Sequence, residues 1–189
     1  MITVGELMPE FTYRDRNGAE RRLSEEWQAG PAWILWLRHC GCQFYREASG
    51  DLSTASAAFA ASNLRRVCIV QGSSAEAEAL CAADGACDTC IPDPERRSFA
   101  LAGLRRANLA EVLFPSAELK ARRAEAKAAG AKQDWKRTFT PGNDAMLLPG
   151  AALVDAGVVR HVHIGAHTGD LPKAAELLAI ARVALATAS

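Results

Sequence analysis

Apolar and polar positions along the chain follow two periods. Residues 31–38, "PAWILWLR", are a continuous apolar run behind Gly30-Pro31 and predict a strand buried on both faces. "LRRVCIVQG", 64–72, predicts a second. Between them Tyr45, Ala48, Leu52, Ala55 and Phe59 recur at helical spacing, although Gly50 weakens the middle. "SSAEAEALCAADG" opens with Ser73 and Glu76 at capping-box spacing and stops at Gly85, which predicts another helix. "CDTCIP", 87–92, reads as a short third strand. Asp93 as cap, Pro94 in the first helical position and Gly103 as stop predict the next helix.

Outside this core the pattern changes. "FTYRDRNGAERRL" predicts an extended pair turning at Asn17-Gly18. The stretch 116–137 is rich in Ala, Lys and Arg, with Ser116 as cap and Glu118–Arg122 at helical pair spacing. It reads either as a solvated helix or as a basic arm over a site that handles anions. "MLLPGAALVDAGVVRHVHIG" predicts two strands joined at Asp155-Ala156-Gly157. "DLPKAAELLAIARVALATA" predicts an amphipathic helix led by Asp170 and Pro172. The first half demands a parallel crossover, and the second adds antiparallel strands. The expected fold class is therefore α/β and thioredoxin-like: a central mixed β-sheet flanked by helices on both faces, with a helical insertion. The expected organisation is a single domain over 1–189, with the insertion at about 104–137.

Charge adds only exclusions. Lys and Arg number 22, and Asp and Glu number 22, so nothing points to nucleic acid or an anionic membrane. The apolar runs are too short to span a bilayer, and the N-terminus has acidic residues and no apolar signal core. The expected location is cytoplasmic. No glycine-rich phosphate loop implies an organic cofactor.

The six cysteines carry the candidate chemistry. Cys68, inside "VCIV", and Cys81, in a helical pattern, read as small core hydrophobes. Cys40 and Cys42 stand where the first central strand hands over to the first long helix. Helix-start N–H groups are unpaired and the dipole is positive there, so a thiolate is stabilised. Arg38, His39 and Arg46 lie close in sequence and can add positive charge. "CDTC", 87–90, is a second Cys-x-x-Cys. With Cys40 and Cys42 it supplies four sulfurs, enough for tetrahedral zinc, although the spacing matches no standard finger. His161 and His163 alternate on one strand face, and His167 follows four later; they read as covered or wet-edge residues, with a metal site the alternative. Arg160 falls on the other face and is expected to lean toward the strand edge.

"LRHCGCQFYREA" resembles the cysteine motif of the peroxiredoxin-like (alkyl hydroperoxide reductase/thiol-specific antioxidant-like) proteins of the thioredoxin superfamily. The resemblance continues in "PDPERRSFALAGLRRANLAEVL" and in "MLLPGAALVDAGVVRHVHIGAHTGDLP". It implies a thiol-dependent oxidoreductase acting on peroxides or protein disulfides. Cys42 matches the attacking cysteine. Tyr45 stands at the second motif cysteine, so no Cys-x-x-Cys disulfide forms there, and His39 replaces the threonine of the peroxide pocket. Pro149 matches a proline that is commonly cis and faces the sulfur. Cys40, Cys87, Cys90 or an outside thiol are the candidates to resolve oxidised Cys42. Tyr45 reads as core packing or as a hydroxyl donor to the sulfur. The implied partners are a peroxide or disulfide substrate and an external thiol or thioredoxin-like reductant, and a homodimer is compatible with the resemblance. The alternative is a non-catalytic metal-binding or redox-sensing protein using the clustered cysteines.

Overall fold

The computed structural model describes residues 1–15, 17–140 and 142–187, without the side chains of 80–84. The side chain of Cys81, read as a core hydrophobe, lies outside the described residues. An antiparallel ribbon of β1 (Thr12–Arg14) and β2 (Glu20–Arg22) begins the chain. A 3-10 turn at Leu23–Trp27 leads into β3 (Ala32–Leu37). Helices α1 (Gln43–Thr54) and α2 (Ser56–Ala61), then β4 (Arg65–Val70), α3 (Ser74–Asp84) and β5 (Thr89–Pro92), complete the first half. Next come α4 (Arg97–Ala102), α5 (Leu109–Leu113), α6 (Ala117–Ala128) and α7 (Trp135–Thr138). Strands β6 (Gly150–Asp155) and β7 (Val158–Ile164) and helix α8 (Ala174–Ala186) close the fold.

The main sheet runs β5-β4-β3-β6-β7, with β3, β4 and β5 parallel and β6 and β7 antiparallel to their neighbours. Side chains on a strand alternate between faces, so β3 feeds two cores. Trp33, Leu35 and Leu37 pack with Phe59, Leu153 and Leu177 under α1, α2, α6 and α8. Ile34 and Trp36 pack with Trp27, Ile69 and Phe99 on the other face. This is the mixed sheet with two covered faces that the apolar runs predict. Because β3, β4 and β5 are parallel, the residues that follow them emerge at one edge. That edge holds Cys40 and Cys42 after β3, Glu76 after β4 and Asp93 after β5.

Several local expectations change. The helix expected through Phe59 divides at Ala55 (φ −88°, ψ 3°) into α1 and α2. Helix α4 begins at Arg97, not Pro94, because Asp93 is tied to the sheet edge by its N–H to the Val70 carbonyl (2.7 Å). Asp93 still caps the helix, accepting from the N–H groups of Arg97 (2.9 Å) and Ser98 (2.8 Å). Helix α8 starts after Lys173. Asp51 of α1 accepts from the Ala174 N–H (2.7 Å), while Asp170 turns to His163 (3.1 Å). The Glu118–Arg122 pair does not form, because Arg122 reaches the half-buried Glu47 of α1 (3.0 Å) and Glu125 (2.5 Å). That contact docks α6 on α1 in place of a freely solvated helix. Arg160 pairs with Asp155 (3.4 Å) across the hairpin turn.

Candidate active site

A turn from His39 to Cys42, closed by the Cys42 N–H on the His39 carbonyl (2.9 Å), carries the chain from β3 into α1. Cys42 is the N-cap of α1, with extended backbone (φ −77°, ψ 133°). Its sulfur accepts a hydrogen bond from Arg38 Nε at 3.3 Å. Both residues are buried, Cys42 at 2% exposure and Arg38 at 6%. The rest of the guanidinium donates to the carbonyls of Leu147 (2.5 Å) and Ala145 (2.6 Å), on the segment entering β6. The cation is thus fixed from two sides and aimed at the sulfur. The sulfur at the start of α1 therefore faces a fixed, charged hydrogen-bond donor.

The other basic residues do not share this role. Arg46 turns to Asp134 (3.4 Å), the residue before α7, so its charge is spent on that contact. His39 lies fully buried beside Arg38, and burial, with the adjacent guanidinium, lowers its pKa to about 4. It is a neutral imidazole at physiological pH, and neither ring nitrogen has a hydrogen-bond partner among the described residues.

Residues 133–138 cover the turn. Gln133 accepts from the Gln43 N–H (3.1 Å), the first amide of α1, and donates to Thr138 (2.6 Å). The Asp134 N–H bonds the Gly41 carbonyl (2.8 Å). A Cβ at Gly41 would lie 2.5 Å from the Thr138 amide and 2.7 Å from the Asp134 carbonyl, so the cover depends on glycine there. Gly41→Ala is expected to cost about 1–3 kcal/mol of stability through overpacking. It should also quicken alkylation of Cys42 by lifting α7; a thermal melt and a site-mapped labelling rate check both effects.

Cys40 is half-buried and makes a different contact. Its thiol donates to Glu76 Oε1 of α3 at 2.9 Å. Burial, then that hydrogen bond and the negative charge, push the thiol up to about 11. Cys40 and Cys42 are the free thiols among the described cysteines.

Cys87 and Cys90 do not supply further thiols. Cys87 is bonded to Cys68, with Cα atoms 6.0 Å apart, and Cys90 is also disulfide-bonded. The reading of Cys68 as a plain hydrophobe is corrected: β4 and β5 are adjacent parallel strands, and their register brings Cys87 to Cys68. The resolving role expected of Cys87 or Cys90 is not available to sulfurs already paired. For the same reason the four-sulfur zinc arrangement does not assemble, and no cluster of metal-ligating side chains occurs among the described residues. His161 lies edge-on to Trp33 and His163 pairs with Asp170, which raises the imidazole's pKa. His167 lies 3.5 Å from Glu118.

Tyr45 is buried in the core beneath the site. With Arg38, Phe44, Pro149, Gly169 and Lys173 it lines a narrow cavity beside the guanidinium. Pro149 thus lies at the site, but it is trans, since no described peptide bond is cis. Two contacts carry no sequence signal of their own: by sequence Arg38 is only a nearby charge, and Glu76 only half of a capping box.

A mixed five-stranded sheet with helices on both faces is the thioredoxin-like fold. Solved structures agree over nearly the whole chain. Peroxidoxin BcpB from Mycobacterium tuberculosis is 17% identical, with a TM-score of 0.64 over 97% of this chain and 98% of its own. Reduced Prx3 from Vibrio vulnificus in complex with hydrogen peroxide is 14% identical, with a TM-score of 0.66 over 95% of this chain and 98% of its own. A thiol:disulfide interchange protein DsbE from Chlorobium tepidum is 16% identical, with a TM-score of 0.60 over 98% and 99%. At these identities the likeness establishes the fold. No sequence-family model matches the chain, and no curated protein matches it. No described helix is long and apolar enough to cross a membrane.

Proposed function

We propose that the protein is a thiol-dependent oxidoreductase of peroxiredoxin-like type, with Cys42 as its attacking sulfur. The observation that carries this reading is the Arg38 guanidinium held 3.3 Å from Cys42 Sγ at the start of α1. A thiolate there attacks one peroxide oxygen; the O–O bond breaks and an S–O bond forms. The other oxygen leaves with a proton as water or alcohol, and Cys42 becomes a sulfenic acid. Arg38 can donate to the departing oxygen as it gains charge. A second thiol then condenses with the sulfenic acid and releases water.

The same thiolate could attack a disulfide. With Cys42 only 2% exposed and α7 packed over Gly41, a peroxide fits the approach better than a disulfide on another protein. The reductant in this reading is an external thiol. The cytosol is the proposed compartment, and Cys68, fully buried in its disulfide, is screened there from thiols in solution. Peroxide consumption by purified protein in excess dithiothreitol tests the proposal. The expected result is catalytic loss of peroxide matched one-to-one by oxidised dithiothreitol. Consumption no faster than with dithiothreitol alone would sink it.

A further inference from the structure

Resting on the peroxidase reading, we propose that Glu76 holds Cys40 as a neutral thiol, so that oxidised Cys42 is resolved by a small thiol from solution and not by its neighbour. The Glu76 carboxylate is fixed by the cap of its own helix. Glu76 Oε2 accepts the Ser73 N–H (2.8 Å), and the Ser73 hydroxyl accepts the Glu76 N–H (3.4 Å), which closes a capping box at the head of α3. Gly72 leaves room for the carboxylate, since a Cβ there would collide with it. One oxygen is therefore committed to the cap. The other, Oε1, points to the edge where β3 ends and accepts the Cys40 thiol at 2.9 Å.

An ionised carboxylate accepts but does not donate. The pair is stable only while Cys40 keeps its proton, because a thiolate would face the carboxylate's charge at contact distance. Burial pushes Glu76 up, but hydrogen bonds from Cys40 and Ser73 and the charge of Arg137 outweigh it and hold the carboxyl low. Arg137 on α7 also favours a Cys40 thiolate, and it is outweighed there by burial and Glu76. With Cys40 pushed up to about 11, its thiolate fraction at neutral pH is on the order of one in ten thousand. Disulfide formation needs the thiolate. Closure of the Cys40-Gly41-Cys42 ring is thus slowed from the attacking side.

A small thiol attacks the Cys42 sulfenic sulfur; the S–O bond breaks, hydroxide leaves with the thiol's proton as water, and a mixed disulfide forms. A second molecule of the same thiol breaks that bond, which returns the Cys42 thiol and releases the oxidised small thiol.

The test uses full-length reduced protein, one equivalent of hydrogen peroxide, and mass mapping after quenching, with 2-mercaptoethanol as the small thiol. In wild type, the mixed disulfide on Cys42 is expected to form before any Cys40–Cys42 disulfide. In Glu76→Gln, ring closure should be at least about tenfold faster at neutral pH, because the glutamine no longer opposes a Cys40 thiolate. The pH at which closure accelerates should move down in the same variant. Ser73→Ala weakens the cap but keeps the carboxylate, and wild-type closure in it separates charge from helix damage. Wild-type protein that closes its own ring first, or a Glu76→Gln protein that closes no faster, would overturn the proposal. Closure quickened equally by Ser73→Ala would overturn it too. If wild-type Cys42 is never oxidised, with no trapped adduct of any kind, the peroxidase reading fails and this proposal falls with it.

Discussion

Cys42→Ser is expected to remove peroxide turnover, by at least about a thousandfold, while the protein keeps its fold. A serine hydroxyl is a far weaker nucleophile than a cysteine sulfur, and it has no sulfenic-acid chemistry. The exchange is nearly isosteric in a 2% exposed position, so the melting temperature should change little. The comparison that gives this meaning is Cys40→Ser, which keeps Cys42 and its Arg38 contact. It should retain turnover with an external thiol, because Cys40 is not the sulfur that meets peroxide. Steady-state peroxide consumption by the two variants, with circular dichroism to confirm folding, checks both. Equal losses would mean that the two sulfurs act as one dithiol.

Arg38→Met carries the second large effect, and it acts on both activity and stability. The guanidinium joins three acceptors that come from distant parts of the chain: Cys42 Sγ, the Ala145 carbonyl and the Leu147 carbonyl. Methionine fills part of the volume but donates nothing. Losing a charged donor to the reacting sulfur should slow peroxide reduction by roughly tenfold to a hundredfold, since such a bond is worth about 1.5–3 kcal/mol. One buried and one part-buried carbonyl also lose their donor, so unfolding free energy should fall by roughly 2–4 kcal/mol. Arg38→Lys restores the charge but not the fork that reaches three acceptors. It should recover part of the activity and little of the stability. Single-turnover kinetics and urea unfolding on the same samples separate the two effects. An Arg38→Met protein that folds less stably but oxidises Cys42 at the wild-type rate would make Arg38 a structural residue alone.

The elements of this fold were legible because their signals are local. Ser73-x-x-Glu76 with Gly85 marks both ends of α3, and Asn17-Gly18 and Asp155-Ala156-Gly157 mark their turns. The apolar run before Cys40 identifies the central strand, and a cysteine after it at a helix start identifies the site. What stayed hidden depends on which strands lie side by side. A Cys-x-x-Cys spacing invites pairing within "CDTC". Parallel pairing of β4 with β5 instead sets Cys68 opposite Cys90 and brings Cys87 within bonding reach of Cys68. The Cys40–Glu76 contact has the same origin: the two residues lie 36 positions apart and meet only because β3 and β4 end at one edge. The helical and basic pattern of 116–137 carries no sign that residues 134–138 pack over Gly41. Pro94 marked a helix start that the tether of Asp93 to β4 displaces by three residues.

The most direct measurement is the site of oxidation under limiting peroxide. Reduced protein receives less than one equivalent of hydrogen peroxide in the presence of dimedone, which traps sulfenic acid, and the adduct is located by peptide mass mapping. Exposure alone favours Cys40, which is half-buried, over Cys42, which is 2% exposed. If the Arg38 contact and the helix start make Cys42 the reactive sulfur, the adduct appears on Cys42 and Cys40 remains a thiol. An adduct on Cys40, or none on either cysteine of a folded protein, would contradict the assignment of Cys42 as the attacking thiol.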